Sequence, residues 1–458
     1  MIFINDKSQK YQATLKFLTK EDPQYNNIFV DKTPGAISFL DSTHTFYLAG
    51  ELSDPDCYQT ISTSLRKFIK GNNFTLLVDI DSFTLDNIEI ITAIIEAILY
   101  ATHPEWTMQS HVQPKTEHYL LKTSYRDIDI LYQRLLAEIT SVNLACDLQD
   151  GAPNIIYPAA FVDIITNKYH HLKNLKISVL NLEDIKKLKM GLFLSVNQGS
   201  ADEGKILIIE YHNDPTTPEK TAFIGKGITF DSGGYALKPP SGMVNMCYDM
   251  SGAASVISAM YGVSQLAPKI NVVALAPLTD NRIGGATTLN TAIVQAMNGK
   301  TVQVTSTDAE GRMVMADAIT YAIQKLQATK IITVATLTGA MIKGLGKYVT
   351  GAMATSDELF HRFYQATRQA HETFWRMPVT RENYQAMSNT QYADLVNHSY
   401  DKYNPTGNSM AFLDNFTESL PFLHIDIAGT AYIDDRGKGT MVKSIIEYCL
   451  LEGQYYEK

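Results

Sequence analysis

Three short segments concentrate residue types suited to metal and hydrolytic chemistry. Phe223-Ile-Gly-Lys-Gly-Ile-Thr-Phe-Asp-Ser-Gly-Gly234 carries Lys226 and Asp231, Tyr248-Asp-Met250 carries Asp249, and Ser306-Thr-Asp-Ala-Glu-Gly-Arg312 carries Asp308, Glu310 and Arg312. Asp308 and Glu310 are two apart, so an extended backbone would point both carboxylates to one face and Ala309 to the other. Gly311 is expected to turn the chain into a helix from Met313 to Leu326, leaving the pair at a C-terminal strand edge, where open α/β sheets bind ligands. Asp231 precedes Ser232-Gly-Gly234, whose glycines permit close backbone approach, and Asp249 stands before a helix start with Ser251 as its expected N-cap. A single carboxylate pair at such spacing is more often a solvated turn. Here the flanking runs are apolar or small, and buried like charges are costly unless a cation compensates them. Four carboxylates match the charge of two divalent cations. Oxygen-rich ligation without histidine suits zinc, manganese, magnesium or cobalt rather than copper.

The elements that must position these residues are legible from periodicity. Thr75-Leu-Leu-Val-Asp-Ile80 reads as a strand, and Ile88, Ile91, Ile94, Ile95, Ile98 and Leu99 recur at helical spacing. Residues 1–126 are therefore expected to form a small N-terminal α/β domain. Residues 127–147, with Ile128, Leu131, Leu135, Ile139 and Val142 on one stripe, are expected to form a connecting helix that ends near the breaker cluster Asp150-Gly-Ala-Pro153. Residues 148–458 hold all three chemical segments. There Ile206–Tyr211, Ile270–Leu275, Thr301–Val304, Ile331–Ala335 and Phe422–Asp426 are strand candidates with helical stretches between them. Their continuous apolar character predicts a second, larger α/β domain with a central mixed sheet flanked by helices.

Bulk properties narrow the function classes. At 458 residues the chain exceeds a single typical core, and 48 acidic against 39 basic residues make its average surface repel phosphate backbones and anionic membranes. Cys57, Cys146, Cys247 and Cys449 form no CxxC pair, which argues against a zinc ribbon or disulfide scaffold and for a reducing compartment. The first ten residues lack a secretory pattern, and the stretch Ile88–Ala101 is shorter than the roughly 20 residues a membrane span needs. A cytoplasmic protein with neither membrane nor nucleic acid as its default partner is expected.

At the chemical segments the sequence closely resembles the leucyl aminopeptidase family of exopeptidases. That family's signatures are Asn-Thr-Asp-Ala-Glu-Gly-Arg and Gly-Lys-Gly-Ile-Thr-Phe-Asp-Ser-Gly-Gly; here they read STDAEGR and GKGITFDSGG. The DAEGR core alone would arise by chance in roughly one random chain of this length in several thousand. The likeness covers most of residues 148–458, including Val196–Ser200, Ala335–Ala340 and His424–Gly429, and fades toward the N-terminus. It implies that Asp231 and Glu310 bridge two metals, that Lys226 and Asp249 complete one site, and that Asp308 completes the other. It also implies that Lys238 stays charged to stabilise the developing oxyanion, and that Arg312 holds a bicarbonate ion as proton shuttle. Leu337 and Gly339 resemble positions that fix the substrate through backbone groups, and Met246 resembles a side chain of the first specificity pocket. The expected activity is removal of Leu-like residues from peptides with a free N-terminus by metal-activated water, in a homohexamer.

Ser306 replaces the usual asparagine, Cys247 stands where many relatives carry lysine or arginine, and Asn281–Asn290 departs from a common Arg-Pro-Gly-Asp stretch. A reactive thiol at Cys247 is one alternative to an inert side chain. A serine protease reading of Phe230-Asp-Ser-Gly-Gly234 lacks a catalytic histidine motif and a GxSxG elbow. An accessory DNA-binding role, as in some bacterial relatives, would call on basic runs such as Arg66–Lys70 and Lys186–Lys187. Gly344-Leu-Gly346 lacks the context of a phosphate loop, and His361, His371, His398 and His424 form no HExxH motif.

Overall fold

A computed structural model describes residues 2–18, 22–50, 56–83, 87–110, 118–400 and 404–455. The chain divides into two compact units, Met1–Ile139 and Thr140–Lys458, the division falling within the helix Ile128–Asp150.

In the first unit the strands Ile2–Ile4, Tyr119–Lys122, Leu76–Asp79, Ala13–Leu18, Thr45–Ala49 and Ile37–Leu40 lie side by side in that order, parallel except for the last pair. The isoleucine periodicity becomes the helix Ile88–Ala101, whose first turn is capped by the Asn87 side chain accepting from Glu89 N at 3.1 Å. Ile91, Ile94, Ile95 and Ile98 pack into one core with Leu15, Phe17, Val78 and the helix Cys57–Gly71. Each such fully buried side chain contributes roughly 1.5–3 kcal/mol of transfer free energy.

The second unit is built on a mixed sheet of nine strands among the described residues. Eight run in the order Phe374–Arg376, Thr350–Ala354, Phe422–Asp426, Lys330–Ala335, Thr221–Gly225, Asn271–Asn281, Lys205–His212 and Leu175–Leu180; Gly227–Asp231 pairs with the far end of Asn271–Asn281. Strand alternation sends Ala222 and Ile224 into the core shared with Met313, Ala316 and Ile319 of the helix Glu310–Gln324. Phe223 points the other way, 5.9 Å ring to ring from Tyr448 of the helix Val442–Glu452. Helices thus cover both faces, as the apolar strands require.

The central strands Thr221–Gly225, Lys330–Ala335, Phe422–Asp426 and Asn271–Asn281 run parallel, and register levels the C-terminal ends of the first three, with Gly225 opposite Val334 and Ala335 opposite Asp426; Asn271–Asn281 runs on past them beside Gly227–Asp231, which places Asn281 opposite Asp231. Gly252, in the first turn of the helix Ser251–Leu266, lets that helix dock against this edge; a Cβ there would sit 2.0 Å from Val334 O.

Three local expectations are corrected. Thr301–Gln303 joins Ile293–Gln295 and Leu395–Val396 in a separate three-stranded sheet, not the central one. The helix after it starts at Glu310, so Gly311 lies inside the first turn. Ser251 is the first helical residue and its Oγ donates to Tyr248 O at 2.5 Å, so Met250 holds the cap position. Among the described residues, no helix is long and apolar enough to cross a membrane.

Candidate active site

Lys226 leaves the strand Thr221–Gly225 with both backbone groups committed, its N–H donating to Val334 O at 2.9 Å and its carbonyl accepting from Ala253 N at 2.8 Å. The buried side chain is thereby aimed along the sheet edge. Its Nζ meets Asp249 Oδ2 at 2.7 Å, Glu310 Oε1 at 3.0 Å and Thr336 O at 3.1 Å. Asp249 lies in the 3₁₀ turn Met246–Met250, and its Oδ1 also accepts from Thr336 Oγ1 at 2.7 Å. Asp231 ends its strand with Oδ1 accepting from Gly233 N and Asn281 Nδ2, both at 2.8 Å. Lys238 Nζ bridges Asp231 Oδ2 at 2.8 Å and Asp308 Oδ1 at 2.5 Å. Asp308 faces solvent on the turn before Glu310, which is buried as the first residue of its helix. The pair converges because the turn folds Asp308 back over a helix start, not through extended backbone.

Asp231, Asp308 and Glu310 each offer an oxygen within 4.8 Å of the others. Asp249 joins the group through Lys226. Burial is the largest influence on every one of these groups. It raises Asp231, with Glu310 adding to the effect and the lysines opposing it, and leaves that carboxyl pushed up to about 6. Asp249 is pushed well above the carboxylate range by burial, and Asp308 is raised by burial and by Glu310. For Glu310, the charges of Lys226 and Lys238 outweigh burial and hold the carboxyl below its usual range. Burial disfavours both ammonium groups, yet Asp249, Glu310 and Asp231 hold Lys226 above the ordinary amine range, and Asp231, Glu310 and Asp308 do the same for Lys238. Counted as fully ionised, four carboxylates exceed two lysines by two charges in largely buried surroundings, and the raised carboxyls reflect the cost of that excess. A hard or borderline divalent cation fits this oxygen-rich donor set.

Arg312 is buried, donates from Nη1 to Asn397 O at 2.9 Å, and leaves Nε without a hydrogen-bond partner among the described residues. Burial draws its guanidinium down to about 10, against the pull of Glu310 and Asp426. A buried cation with an unspent donor is suited to a small anion. Met246 and Leu337 are half-buried, and Gly339 is exposed at a helix start, where a Cβ would meet no atom within 4 Å.

Asn281 carries a role that its sequence context does not suggest. Its buried Nδ2 donates to Asp231 Oδ1 at 2.8 Å and Thr307 O at 3.0 Å, and lies 3.4 Å from Glu310 Oε2. It ties the two loops that present carboxylates, yet it opens the segment that departs from the family pattern. Its role follows from strand register, which brings it opposite Asp231 and which no local sequence pattern signals. Ser306, the other departure, accepts from Asp308 N at 3.3 Å and so still braces the turn. Burial pushes the Cys247 thiol up, which disfavours the reactive thiolate.

Ser232 Oγ donates to Asn281 O at 2.7 Å and, among the described residues, has no histidine partner to activate it as a nucleophile. The basic runs are engaged locally: Arg66 stacks 4.2 Å over Tyr100, Lys70 pairs with Glu105, and Lys186 and Lys187 pair with Glu183 and Asp184.

Gly311 makes the convergence possible, because a Cβ there would lie 2.3 Å from Lys226 Cε and 2.8 Å from its Nζ. Gly311→Ala is expected to displace Lys226 from Asp249 and Glu310, costing about 1–3 kcal/mol of stability as overpacking does. Divalent-cation affinity should fall at least about tenfold, the low end for disturbing a ligand's support. Thermal melts and calorimetric cation titration of both chains check this; unchanged affinity would count against Lys226 as a ligand.

The catalytic-domain model of the cytosol aminopeptidase family matches residues 143–446. The chain is 40% identical over 342 residues to a probable cytosol aminopeptidase of Metamycoplasma salivarium, an alignment covering 75% of this chain and 66% of that protein. It is 39% identical over 374 residues to one of Treponema denticola, covering 79% of this chain and 78% of that protein. Against one of Mycoplasma pneumoniae it is 38% identical over 400 residues, covering 86% and 89%. With that match running through every carboxylate and lysine of the cluster, the chain belongs to the cytosol aminopeptidase family of peptidase hydrolases.

Proposed function

We propose that this chain is a two-metal aminopeptidase that releases N-terminal residues, Leu-like ones preferred, from peptides in the cytoplasm. The observation that carries the reading is the gathering of Asp231, Asp308 and Glu310 within 4.8 Å beside the Lys226–Asp249 pair, with net negative charge left over. Zinc or manganese is the expected occupant, and magnesium or cobalt also suits the donors. Asp231 and Glu310 would be shared between two ions, Lys226 and Asp249 would complete one site, and Asp308 the other. When bound, such a pair of cations polarises the scissile carbonyl and activates water.

The protein's own groups then have distinct tasks. Lys226 must give up its proton to ligate, since only the neutral amine has a lone pair. Lys238 keeps its charge and stabilises the oxyanion that develops on the substrate. Arg312, with its unspent Nε, would hold a bicarbonate that relays a proton to the leaving amine. Met246 would line the first specificity pocket, and the backbone at Leu337 and Gly339 would hold the peptide, whose free amine restricts the enzyme to chain ends. Methylene-scale discrimination in such a pocket is about 1–3 kcal/mol, so the preference for Leu is graded. Hexamer formation rests on the family resemblance, and sedimentation of the purified chain decides it.

Leu-amide hydrolysis should vanish when the chain is stripped with a chelator, return on adding zinc or manganese, and ignore a serine-directed inhibitor. Activity that survives full stripping and dies with the serine reagent would replace this reading with a serine hydrolase.

A further inference from the structure

Asp426 ends the strand Phe422–Asp426, opposite Ala335 of the neighbouring strand. It is fully buried, and a buried carboxylate is retained at a cost unless donors surround it. Three do. Leu337 N donates to Oδ1 at 3.3 Å, Ala428 N to Oδ1 at 3.0 Å, and Thr338 Oγ1 to Oδ2 at 2.6 Å. Two of them belong to the segment that leaves the neighbouring strand.

That segment is gripped from the other side as well. Thr336 Oγ1 donates to Asp249 Oδ1 at 2.7 Å, and Thr336 O accepts from Lys226 Nζ at 3.1 Å. Thr336 O and Leu337 N belong to one peptide unit, so this plane is held at its oxygen by Lys226 and at its N–H by Asp426. Holding both ends of a planar unit fixes its tilt. One residue further on, the Thr338–Asp426 bond fixes where the helix Gly339–Leu345 begins, beside the open space at Gly339.

We infer that Asp426 is a positioning residue that sets the substrate-holding segment Thr336–Gly339 in register with Lys226 and Asp249, and so governs how tightly peptide is held rather than whether cations bind. The inference rests on the assignment of Leu337 and Gly339 to substrate. Asp426 touches no reacting atom; it acts through the peptide plane and Thr338. Asp426→Asn keeps the shape but removes the charge: its oxygen can still accept from Leu337 N, while its Nδ2 can only donate, so the Thr338 hydroxyl loses its charged acceptor and must turn to accept. Thr338→Val removes only the hydroxyl.

The test measures KM and kcat for Leu-amide, calorimetric affinity for manganese and melting temperature, in full-length wild type, Asp426→Asn, Thr338→Val, Thr338→Ser and the Asp426→Asn/Thr338→Val double variant. KM is expected to rise about tenfold in the first two single variants, as for loss of a hydrogen bond to a charged group, with kcat changed much less and manganese affinity unchanged. Thr338→Ser should recover most of what Thr338→Val loses, and the double variant should be no worse than the poorer single one, because both remove the same link. If wild type binds cations and hydrolyses Leu-amide but Asp426→Asn keeps its KM, the inference alone is overturned. It is also overturned if Asp426→Asn loses manganese affinity in step with activity. A wild type that neither binds cations nor cleaves the amide overturns the proposed function together with it.

Discussion

Glu310→Ala is expected to leave a folded chain that takes up at most one divalent ion and loses more than about a hundredfold in kcat/KM, exceeding the upper range for removing a ligand's outer partner. Glu310 is the one carboxylate of the cluster held below its usual range, because both Lys226 and Lys238 act on it. After burial, its charge is also the next largest influence raising Asp231 and Asp308. Removing it therefore relieves like-charge repulsion in the metal-free chain while deleting a shared ligand. The melting temperature of the metal-free variant should stay close to that of the metal-free wild type. Saturating manganese should raise the wild-type melting temperature, since an ion bound only to the folded state stabilises it, and should raise that of the variant far less. Near-full activity with a normal cation response in Glu310→Ala would remove the carboxylate from the mechanism.

Lys238→Ala should behave in the opposite way, keeping both ions and losing rate. Lys238 Nζ lies between Asp231 and Asp308, and these carboxylates with Glu310 hold it charged. Its removal frees Asp231 Oδ2 and Asp308 Oδ1 for a cation, so affinity should be equal or higher. The loss falls on kcat, about 10²–10³-fold, the range for deleting one donor to a developing oxyanion. A Lys238→Ala enzyme with a normal kcat, or one that no longer binds ions, would show that this lysine is structural.

The cluster was legible in the sequence because each carboxylate stands beside glycines or a helix start, where spacing and neighbours restrict what the chain can do. Its geometry was less so. Gly311 reads as a breaker, yet inside the helix it is the space through which Lys226 passes, a contact between residues 85 positions apart that no local pattern reveals. Periodicity marked Thr301–Val304 as strand but says nothing of which sheet a strand joins; pairing with Leu395–Val396 decided that. Asn281 and Asp426 escaped for a related reason. An amide and a carboxylate at strand ends gain their roles only when register brings them opposite Asp231 and Ala335. The isoleucine-rich helix and the central apolar strands were readable at once, since burial on a fixed period is a local property.

The central claim is that two cations complete this site. Titrating the metal-stripped chain with manganese while recording ions bound per subunit and Leu-amide hydrolysis tests it most directly. Activity should follow the filling of two sites and reach its plateau at two ions per chain. A chain that hydrolyses the amide at full rate before any ion is bound, or that binds none, would contradict the claim.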